Sequence, residues 1–562
     1  MSETASQKPF FNIASRLKEQ AVRRPYRRAV VAPCTRDRNG RVAYTHLTFR
    51  QLDEESDVLA HGLSRIGITR GTRTVLMVKP GIEFFVLTFA LFKTGAVPVV
   101  VDPGMGIRRM LLCLKESVPK AFIGIPKAHL LRILYPKYFT TVQIGVTVGR
   151  RWFWGGHAYK KLTGSLEKPY HMAKTRPNDM AAILFTTGST GPAKGAVYTH
   201  GTFDAQLDTI RSYFEFEDDE IDLPTFPLFA LFDPALGITA VIPDMDPTKP
   251  ARANPGKIYE ALYNQGATNM FASPALLHRI ERFGTRHHFK LPALRRVVSA
   301  GAPVSPAILS RFTPLLHETS EIHTPYGATE AVPVVAMGSN EILSETAGLS
   351  QKGFGLCVGR PMPGIDVEII TITDKPIQSW SYDLLSGDGE IGEITVKGGL
   401  VSQTYYNRPK ADALAKIDDA GSIWHRMGDL GWRDSKGRIW FCGRKSHRVI
   451  TENGTLFTIP CEAVFNNHPH VFRSALVGVG RRPMQKPVMV VELKKHFGKP
   501  SRGKVRQELL DIAGESILTE NIDTVLFYRS LPVDIRHNAK INREKLAVWA
   551  ARKLKQKNGR KR

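Results

Sequence analysis

Ten consecutive residues, Thr186-Thr187-Gly188-Ser189-Thr190-Gly191-Pro192-Ala193-Lys194-Gly195, bring four hydroxyls, three glycines and one lysine into one loop. Glycines let backbone N–H groups come close to a ligand, and amides and hydroxyls so exposed point at phosphate oxygens. Lysine adds a compact positive charge for the outer phosphates. The chemistry is that of a nucleoside triphosphate cradle. It is not the common GxxxxGK[ST] loop, because Lys194 precedes the last glycine and no Ser or Thr follows it to hold magnesium. Alone, such a loop also has a plainer reading, less favoured, as a flexible surface connection. Its meaning rests on what else the chain carries.

Four further segments have matching chemistry. Ser299-Ala300-Gly301-Ala302-Pro303 offers small residues against which a flat ring can lie. Tyr326-Gly327-Ala328-Thr329-Glu330 combines an aromatic plate, a glycine, a hydroxyl and a carboxylate that suits magnesium through oxygen. Trp424-His425-Arg426-Met427-Gly428-Asp429 reads as a glycine turn ending in a carboxylate able to accept both ribose hydroxyls, and Gly443-Arg444 supplies a second ribose contact. Lys540 stands in a turn-like stretch, Leu531 to Arg543, just before a helical pattern. Taken singly, each has a plain structural reading: a strand-to-helix turn, a capped turn, a surface ion pair, a solvated lysine.

The elements around these segments alternate. Ala181-Ala182-Ile183-Leu184-Phe185 reads as a buried strand feeding the glycine-rich loop. Helical spacing covers Phe10 to Arg23, Phe49 to Ile66 and Ile82 to Thr94. Strand patterns cover 44–48, 73–78, 97–101, 179–185, 268–272 and 295–299. Alternation of this kind predicts an α/β fold of parallel sheets covered by helices. After about residue 360 the texture becomes β-rich, with Gly364 to Ile372, Gly392 to Lys397 and Arg438 to Cys442 joined by Gly/Asp turns, as in an antiparallel subdomain. Residues 1–443 are expected to form a large N-terminal domain, 444–446 a hinge and 447–562 a small α+β C-terminal domain carrying Lys540.

With 562 residues, two or three domains are expected. No apolar run reaches membrane-spanning length; the best, Phe84 to Phe92, ends at Lys93. The N-terminus lacks a basic start followed by an apolar segment, so no secretory leader is expected. Five scattered cysteines form no CxxC pair, which argues against zinc and for a reducing, cytoplasmic setting. The net charge is +26, and residues 447–562, with 23 Lys/Arg against 10 Asp/Glu, hold half of it. Such a balance serves nucleic acid, an anionic membrane face or an acidic partner. No helix-turn-helix, zinc or RNA-recognition signature accompanies the charge, so nucleic acid is not expected, and docking to a partner or to the inner membrane face is the better use.

In combination and in this order, the segments resemble the adenylate-forming superfamily of acyl-CoA synthetases, luciferases and peptide-synthetase adenylation domains, from the helix near Phe10 to Lys540. The resemblance implies a large N-terminal domain of two αβ-layered sheets plus a β-rich subdomain, with a small mobile C-terminal domain. It implies ATP held by Thr186, Thr187, Gly188, Ser189, Thr190, Gly191 and Lys194 at the β- and γ-phosphates. Thr329 would touch the α-phosphate, with Gly327 also among the ATP-binding residues, Glu330 would bind Mg²⁺, and Asp429 and Arg444 would hold the ribose. Gly301, Ala302 and Tyr326 would line the adenine, and Lys540 would bridge the substrate carboxylate and the α-phosphate.

Departures from the common pattern narrow the function. Met427 replaces the usual threonine, Ser446 stands at the hinge position, and Ser446 to Gly454 lacks the Lys-x-x-Gly of thioester-forming members. Arg536-His537-Asn538-Ala539-Lys540 replaces Thr-x-Ser-Gly-Lys. These changes cluster where coenzyme A would enter. Adenylation is expected to survive; thioester formation is the step they call into question. The phrases GRKSHRV, PVDIRHNAKI and PLFALFDPALG are similar to the β-lactone synthetases of bacterial long-chain olefin biosynthesis. That likeness implies a 2-alkyl-3-hydroxy fatty acid whose own 3-hydroxyl closes the ring, and assembly with a thiolase-like synthase, a reductase and a decarboxylase. Phe226, Phe229 and Phe232 are the candidate acyl pocket, with core packing as the plain alternative. His200 is a candidate base for the hydroxyl, with a structural role as its alternative. A long-chain fatty acyl-CoA ligase shares every adenylation residue and is the rival reading. A silent scaffold is disfavoured by Glu330, Asp429 and Lys540.

Overall fold

A computed structural model describes residues 10–165, 168–185, 192–226, 230–494, 501–533 and 540–559. The candidate residues Thr186, Thr187, Gly188, Ser189, Thr190, Gly191 and Phe229, and Asn538 of the last motif, lie outside these described residues.

Two seven-stranded sheets form the larger part. The first runs His157–Ala158, Ile144–Thr147, Ala121–Gly124, Arg73–Met77, Val97–Val100, Met180–Phe185 and Gly195–Thr199, parallel except for its last pair. The second runs Glu321–His323, Arg296–Val298, Asn269–Phe271, Ile221–Pro224, Thr239–Val241, Arg28–Arg36 and Val42–Thr48, again parallel except for its last pair. The short β-branched strands with helices between them, anticipated from the alternation, are what bury these sheets on both faces.

The helix Ile82–Thr94 shows why the longest apolar run is no membrane span. From Phe84 to Thr94 it is buried on every side, inside the core cluster that also takes in the helices Ser15–Arg23 and Phe49–Arg65. Lys93, which ends the run, is fully buried. Its ammonium donates to Asp53 Oδ1 and Asp57 Oδ1, each at 2.6 Å, so the helix Phe49–Arg65 supplies the two carboxylates that neutralise it. Among the described residues no helix is long and apolar enough to cross a membrane.

From Tyr326 to Arg444 the chain forms an eight-stranded antiparallel sheet, as its Gly/Asp-punctuated strands predict. One expectation changes there. Trp424 to Asp429 is not a turn: it lies within the twelve-residue strand Ser422–Arg433. Against the neighbouring strand Gly392–Gly398, Arg426 pairs with Thr395 and Leu430 with Glu393, so three residues, 427–429, face Ile394 alone. This bulge needs a left-handed residue, and Gly428 supplies it at φ +65°. A glycine within a strand reads as a turn when the partner strand is not known.

The smaller C-terminal part packs a three-stranded sheet, Val471–Val479, Lys486–Leu493 and Val525–Phe527, against the helices Thr458–Asn466, Arg502–Gly514 and Arg543–Gly559. A large N-terminal domain and a smaller α+β C-terminal domain are thus both present.

Candidate active site

A cavity of about 1400 Å³ opens where the three larger sheets meet the C-terminal part. At one end it is polar. The strands Tyr326–Ala328 and Ala331–Ala336 form a hairpin whose two-residue turn is Thr329-Glu330, so both side chains are offered at its tip. The hairpin is pinned from below: Tyr198 Oη donates to the Thr329 carbonyl at 2.7 Å, and Ser402 N to the Glu330 carbonyl at 2.8 Å. Glu330 Oε1 accepts from Tyr405 Oη at 2.6 Å. Lys194 Nζ lies 4.6 Å from the centre of the Tyr405 ring, and Lys416 Nζ 5.5 Å. Burial pushes the Lys416 ammonium down to about 8, against the pull of Glu330 and Asp412.

The second polar cluster is built by strand register. Asp429, behind the bulge glycine, is the direct cross-strand partner of Arg444. Arg444 Nε lies 3.0 Å from Asp429 Oδ1, and Tyr326 Oη donates to Asp429 Oδ2 at 2.6 Å. Burial raises the Asp429 carboxyl; Arg444, the Tyr326 hydrogen bond and nearby Lys540 oppose it. Asp429 Oδ1 is buried and accepts no hydrogen bond, because the Arg444 N–H is not aimed at it. An orphaned carboxylate oxygen beside a cavity is what a ribose hydroxyl would satisfy.

Lys540 reaches the same cavity from the C-terminal part. Its position is set on both sides. An isolated bridge joins Val533 to Ile541, Asn542 N donates to the Pro532 carbonyl at 2.8 Å, and Asn542 Oδ1 accepts from Lys545 N at 2.9 Å as the next helix begins. Arg543 Nη2 then holds both oxygens of buried Glu462 at 2.7 Å.

The junction between the two parts is tied by charge. Buried Glu393 pairs with Arg426 Nη2 at 2.6 Å and with Lys445 Nζ at 2.9 Å. Arg448 Nη2 meets Asp374 at 2.7 Å, and Arg482 Nη2 donates to the Ser446 carbonyl at 2.7 Å. Arg444 is the last residue of the strand Ile439–Arg444, and Lys445–His447 is a single 3₁₀ turn, so 444–446 leave the sheet directly.

The rest of the wall is apolar and takes in both faces of the first sheet at the C-terminal ends of its strands. Pro98, Val100, Ala182 and Leu184 line it from one face. Val101, Phe185, Ile125, Ala128 and Leu131 line it and belong to the core on the opposite face. Phe226 and Phe232 line it with Phe84, Phe89 and Phe92 of the buried helix.

The expected site residues therefore divide. Lys194, Phe226, Phe232, Gly301, Gly327, Thr329, Glu330, Arg444 and Lys540 line one cavity. Tyr326, Asp429 and Ala302 are not among its described lining residues; the first two stand behind Gly428 and Arg444 as a bonded pair. His200 is also absent from that wall. It is the first residue of the helix His200–Phe214, almost fully buried, with Nδ1 accepting from Ile13 N at 3.1 Å; burial holds its ring down at about 4. Its contacts are those of the structural alternative. Tyr405, Lys416, Glu393 and Arg426 were not anticipated. Their partners are far away in sequence, and no local pattern marks them.

The comparisons with known proteins agree with this geometry. Residues 17–406 match the family model described as AMP-binding enzyme. The chain is 47% identical over 554 residues to the olefin beta-lactone synthetase of Stenotrophomonas maltophilia, covering 97% of this chain and 99% of that protein. It is 46% identical over 547 residues to the olefin beta-lactone synthetase of Xanthomonas campestris pv. campestris, covering 96% and 97%. Among solved structures, the amide bond synthetase McbA of Marinactinospora thermotolerans superposes with TM-score 0.76 at 21% identity over 96% of this chain and 99% of that one. The o-succinylbenzoate coenzyme A synthetase of Bacillus subtilis, in complex with ATP and magnesium ion, superposes with TM-score 0.71 at 19% identity over 94% and 99%. The chain belongs to the AMP-binding enzyme family.

Proposed function

We propose that this enzyme adenylates the carboxylate of a 2-alkyl-3-hydroxy fatty acid and lets the 3-hydroxyl close a β-lactone, releasing pyrophosphate and AMP. The observation that carries the reading is one continuous cavity with cations and a carboxylate at one end and an apolar wall on both faces of the sheet edge at the other. Such a wall has room for two alkyl chains leaving one carbon. The near full-length identity to β-lactone synthetases supports the same assignment.

In the first step a substrate carboxylate oxygen attacks the α-phosphorus of ATP. The Pα–O bond to the β-phosphate breaks, and pyrophosphate leaves with its electron pair. Lys194, Arg444 and Lys540 line the polar end, so positive charge is already in place where negative charge gathers. Asp429, oriented by Tyr326 and Arg444, has an acceptor left for the ribose. Glu330, an oxygen donor at the hairpin tip, would hold Mg²⁺, which would neutralise phosphate charge.

In the second step the 3-hydroxyl oxygen attacks the acyl carbonyl carbon, its proton is released to water, and the C–O bond to AMP breaks with its electron pair leaving on the AMP phosphate oxygen. The nucleophile is tethered two carbons from the carbonyl, so its effective concentration replaces a bound second substrate. The fixed cations at the polar end favour departure of AMP. We further propose that 444–446 act as the hinge, and that the basic C-terminal part docks partner enzymes of hydrocarbon biosynthesis in the cytoplasm.

A 2-alkyl acid lacking the 3-hydroxyl tests the second step. Pyrophosphate exchange should continue with it, while steady release of AMP stops. Equal AMP turnover with both acids would refute ring closure by the hydroxyl.

A further inference from the structure

Residues 103–163 carry eleven Lys/Arg and one Asp/Glu. That lone acid, Glu116, is already neutralised by Arg408 at 2.6 Å. The segment is therefore as lopsided in charge as the C-terminal part, and unlike it exposes a coherent apolar surface.

The surface is built around the helix Pro126–Leu134. At 100° per residue, Lys127, Ala128 and Leu131 share one side and Leu130, Ile133 and Leu134 another, with His129 next to Ile133. The first group lines the cavity. The second is turned to solvent, with Leu134 64% exposed. Beyond His129 lies the loop Arg150-Arg151-Trp152-Phe153-Trp154-Gly155-Gly156. Its base is fixed: the Trp154 ring stacks on His129 with centroids 5.4 Å apart and planes 5° apart, and Trp154 Nε1 donates to Thr147 Oγ1 at 2.9 Å. Arg151 donates back to the Gly156 carbonyl, closing the loop, and Gly155 and Gly156 turn it at φ +71° and +74°. Trp152 and Phe153 project from this base, 50% and 77% exposed. Round the helix, the surface runs from the aromatic tip to Ile133, Leu130 and Leu134, then to Lys127 at the lip, and then into the cavity.

We propose that this face, the tip Trp152-Phe153 with Leu130, Ile133 and Leu134, seats the enzyme on an anionic lipid bilayer, with Arg150 and Arg151 beside the tip meeting lipid phosphates. Large apolar side chains held out beside basic ones, on a rigid base, match an interface whose outer layer is negative and whose inner layer is hydrocarbon. An acidic protein would answer the charge but not the protruding Trp-Phe pair, nor the apolar helix face, Ile133, Leu130 and Leu134, that runs from it to Lys127 at the cavity. The placement brings the cavity mouth to the layer where a two-chain acid resides, and it holds whichever acid is adenylated.

Co-sedimentation of the full chain with vesicles of phosphatidylglycerol and phosphatidylethanolamine, against vesicles of phosphatidylcholine alone, tests the proposal. The enzyme should partition onto the anionic vesicles. Trp152→Ser/Phe153→Ser should lower partitioning at least tenfold. Arg150→Ser/Arg151→Ser should lower it about 30-fold at low salt, at about 1 kcal/mol per basic residue, and by less at high salt. Pyrophosphate exchange with a short soluble acid should be unchanged in both variants, which shows that they fold. Failure of the wild type to bind anionic vesicles would overturn the proposal, as would binding that survives both variants but is lost in Lys553→Ser/Lys555→Ser.

Discussion

Tyr326→Phe removes one hydroxyl and leaves the ring in place, so it tests how the ribose acceptor is held. In the native structure Asp429 is 2% exposed and is opposed in its tendency to protonate by Arg444 and by the 2.6 Å bond from Tyr326. A hydrogen bond to a charged group is worth about 1.5–3 kcal/mol, which is roughly 10–150-fold in an equilibrium constant. If that energy positions the carboxylate for the nucleotide, KM for ATP should rise by a factor in this range while kcat stays nearly constant, since ground state and transition state both use the contact. Losing the donor also pushes the Asp429 carboxyl further up. Its ionised form then falls away at higher pH than in the wild type, and the KM defect should widen as pH falls. Pyrophosphate exchange across ATP concentrations at several pH values reads both effects. An unchanged KM at every pH, or a loss confined to kcat, would refute the reasoning.

Lys540→Ala should lower adenylation by about 10²–10³-fold, the scale of one preorganised electrostatic contact, with ATP binding largely kept; normal pyrophosphate exchange would contradict it. Glu393→Gln leaves buried Arg426 and Lys445 without their shared anion and should reduce the free energy of unfolding by about 3–5 kcal/mol in urea titration. A loss under about 1 kcal/mol would show that the junction network is not structural. His200 is held down at about 4 by burial, against 6.5 when unfolded, so the unfolded chain binds a proton across that window that the folded chain does not. Its contribution is whole above about pH 6.5 and is lost as pH falls toward 4. The stability gap between wild type and His200→Asn should therefore shrink by about 3 kcal/mol over that range. A gap independent of pH, together with a large fall in lactone formation at pH 7, would instead favour His200 as the base.

Local pattern made the sheets legible. Strands such as Met180–Phe185, and Val75 to Met77 of the strand Arg73–Met77, are apolar runs because both faces are covered, and runs of that kind stand out. The site segments were legible for a related reason: glycines, hydroxyls and charges in short runs have few structural uses, and Thr329-Glu330, Arg444 and Lys540 do meet in one cavity. What the sequence hid was pairing. Nothing local says that Asp429 faces Arg444, that a bulge at Gly428 replaces a turn, or that Tyr405 will hold Glu330 from 75 residues away. His200 looked available for chemistry beside the phosphate loop, but its Nδ1 accepts from the backbone N–H of Ile13, in the turn before the helix Ser15–Arg23, a contact nothing local announces. The basic C-terminus drew attention as a docking surface, whereas the charge of residues 103–163 matters because the fold gathers it beside exposed aromatics.

In the proposed reaction the activated acyl group is taken by its own hydroxyl. Mass analysis of the product formed from ATP, Mg²⁺ and a 2-alkyl-3-hydroxy acid, with and without coenzyme A, tests it directly. The same product is expected in both mixtures, the acid less one water, together with AMP and pyrophosphate. A thioester formed only when coenzyme A is present, with no lactone in its absence, would contradict it.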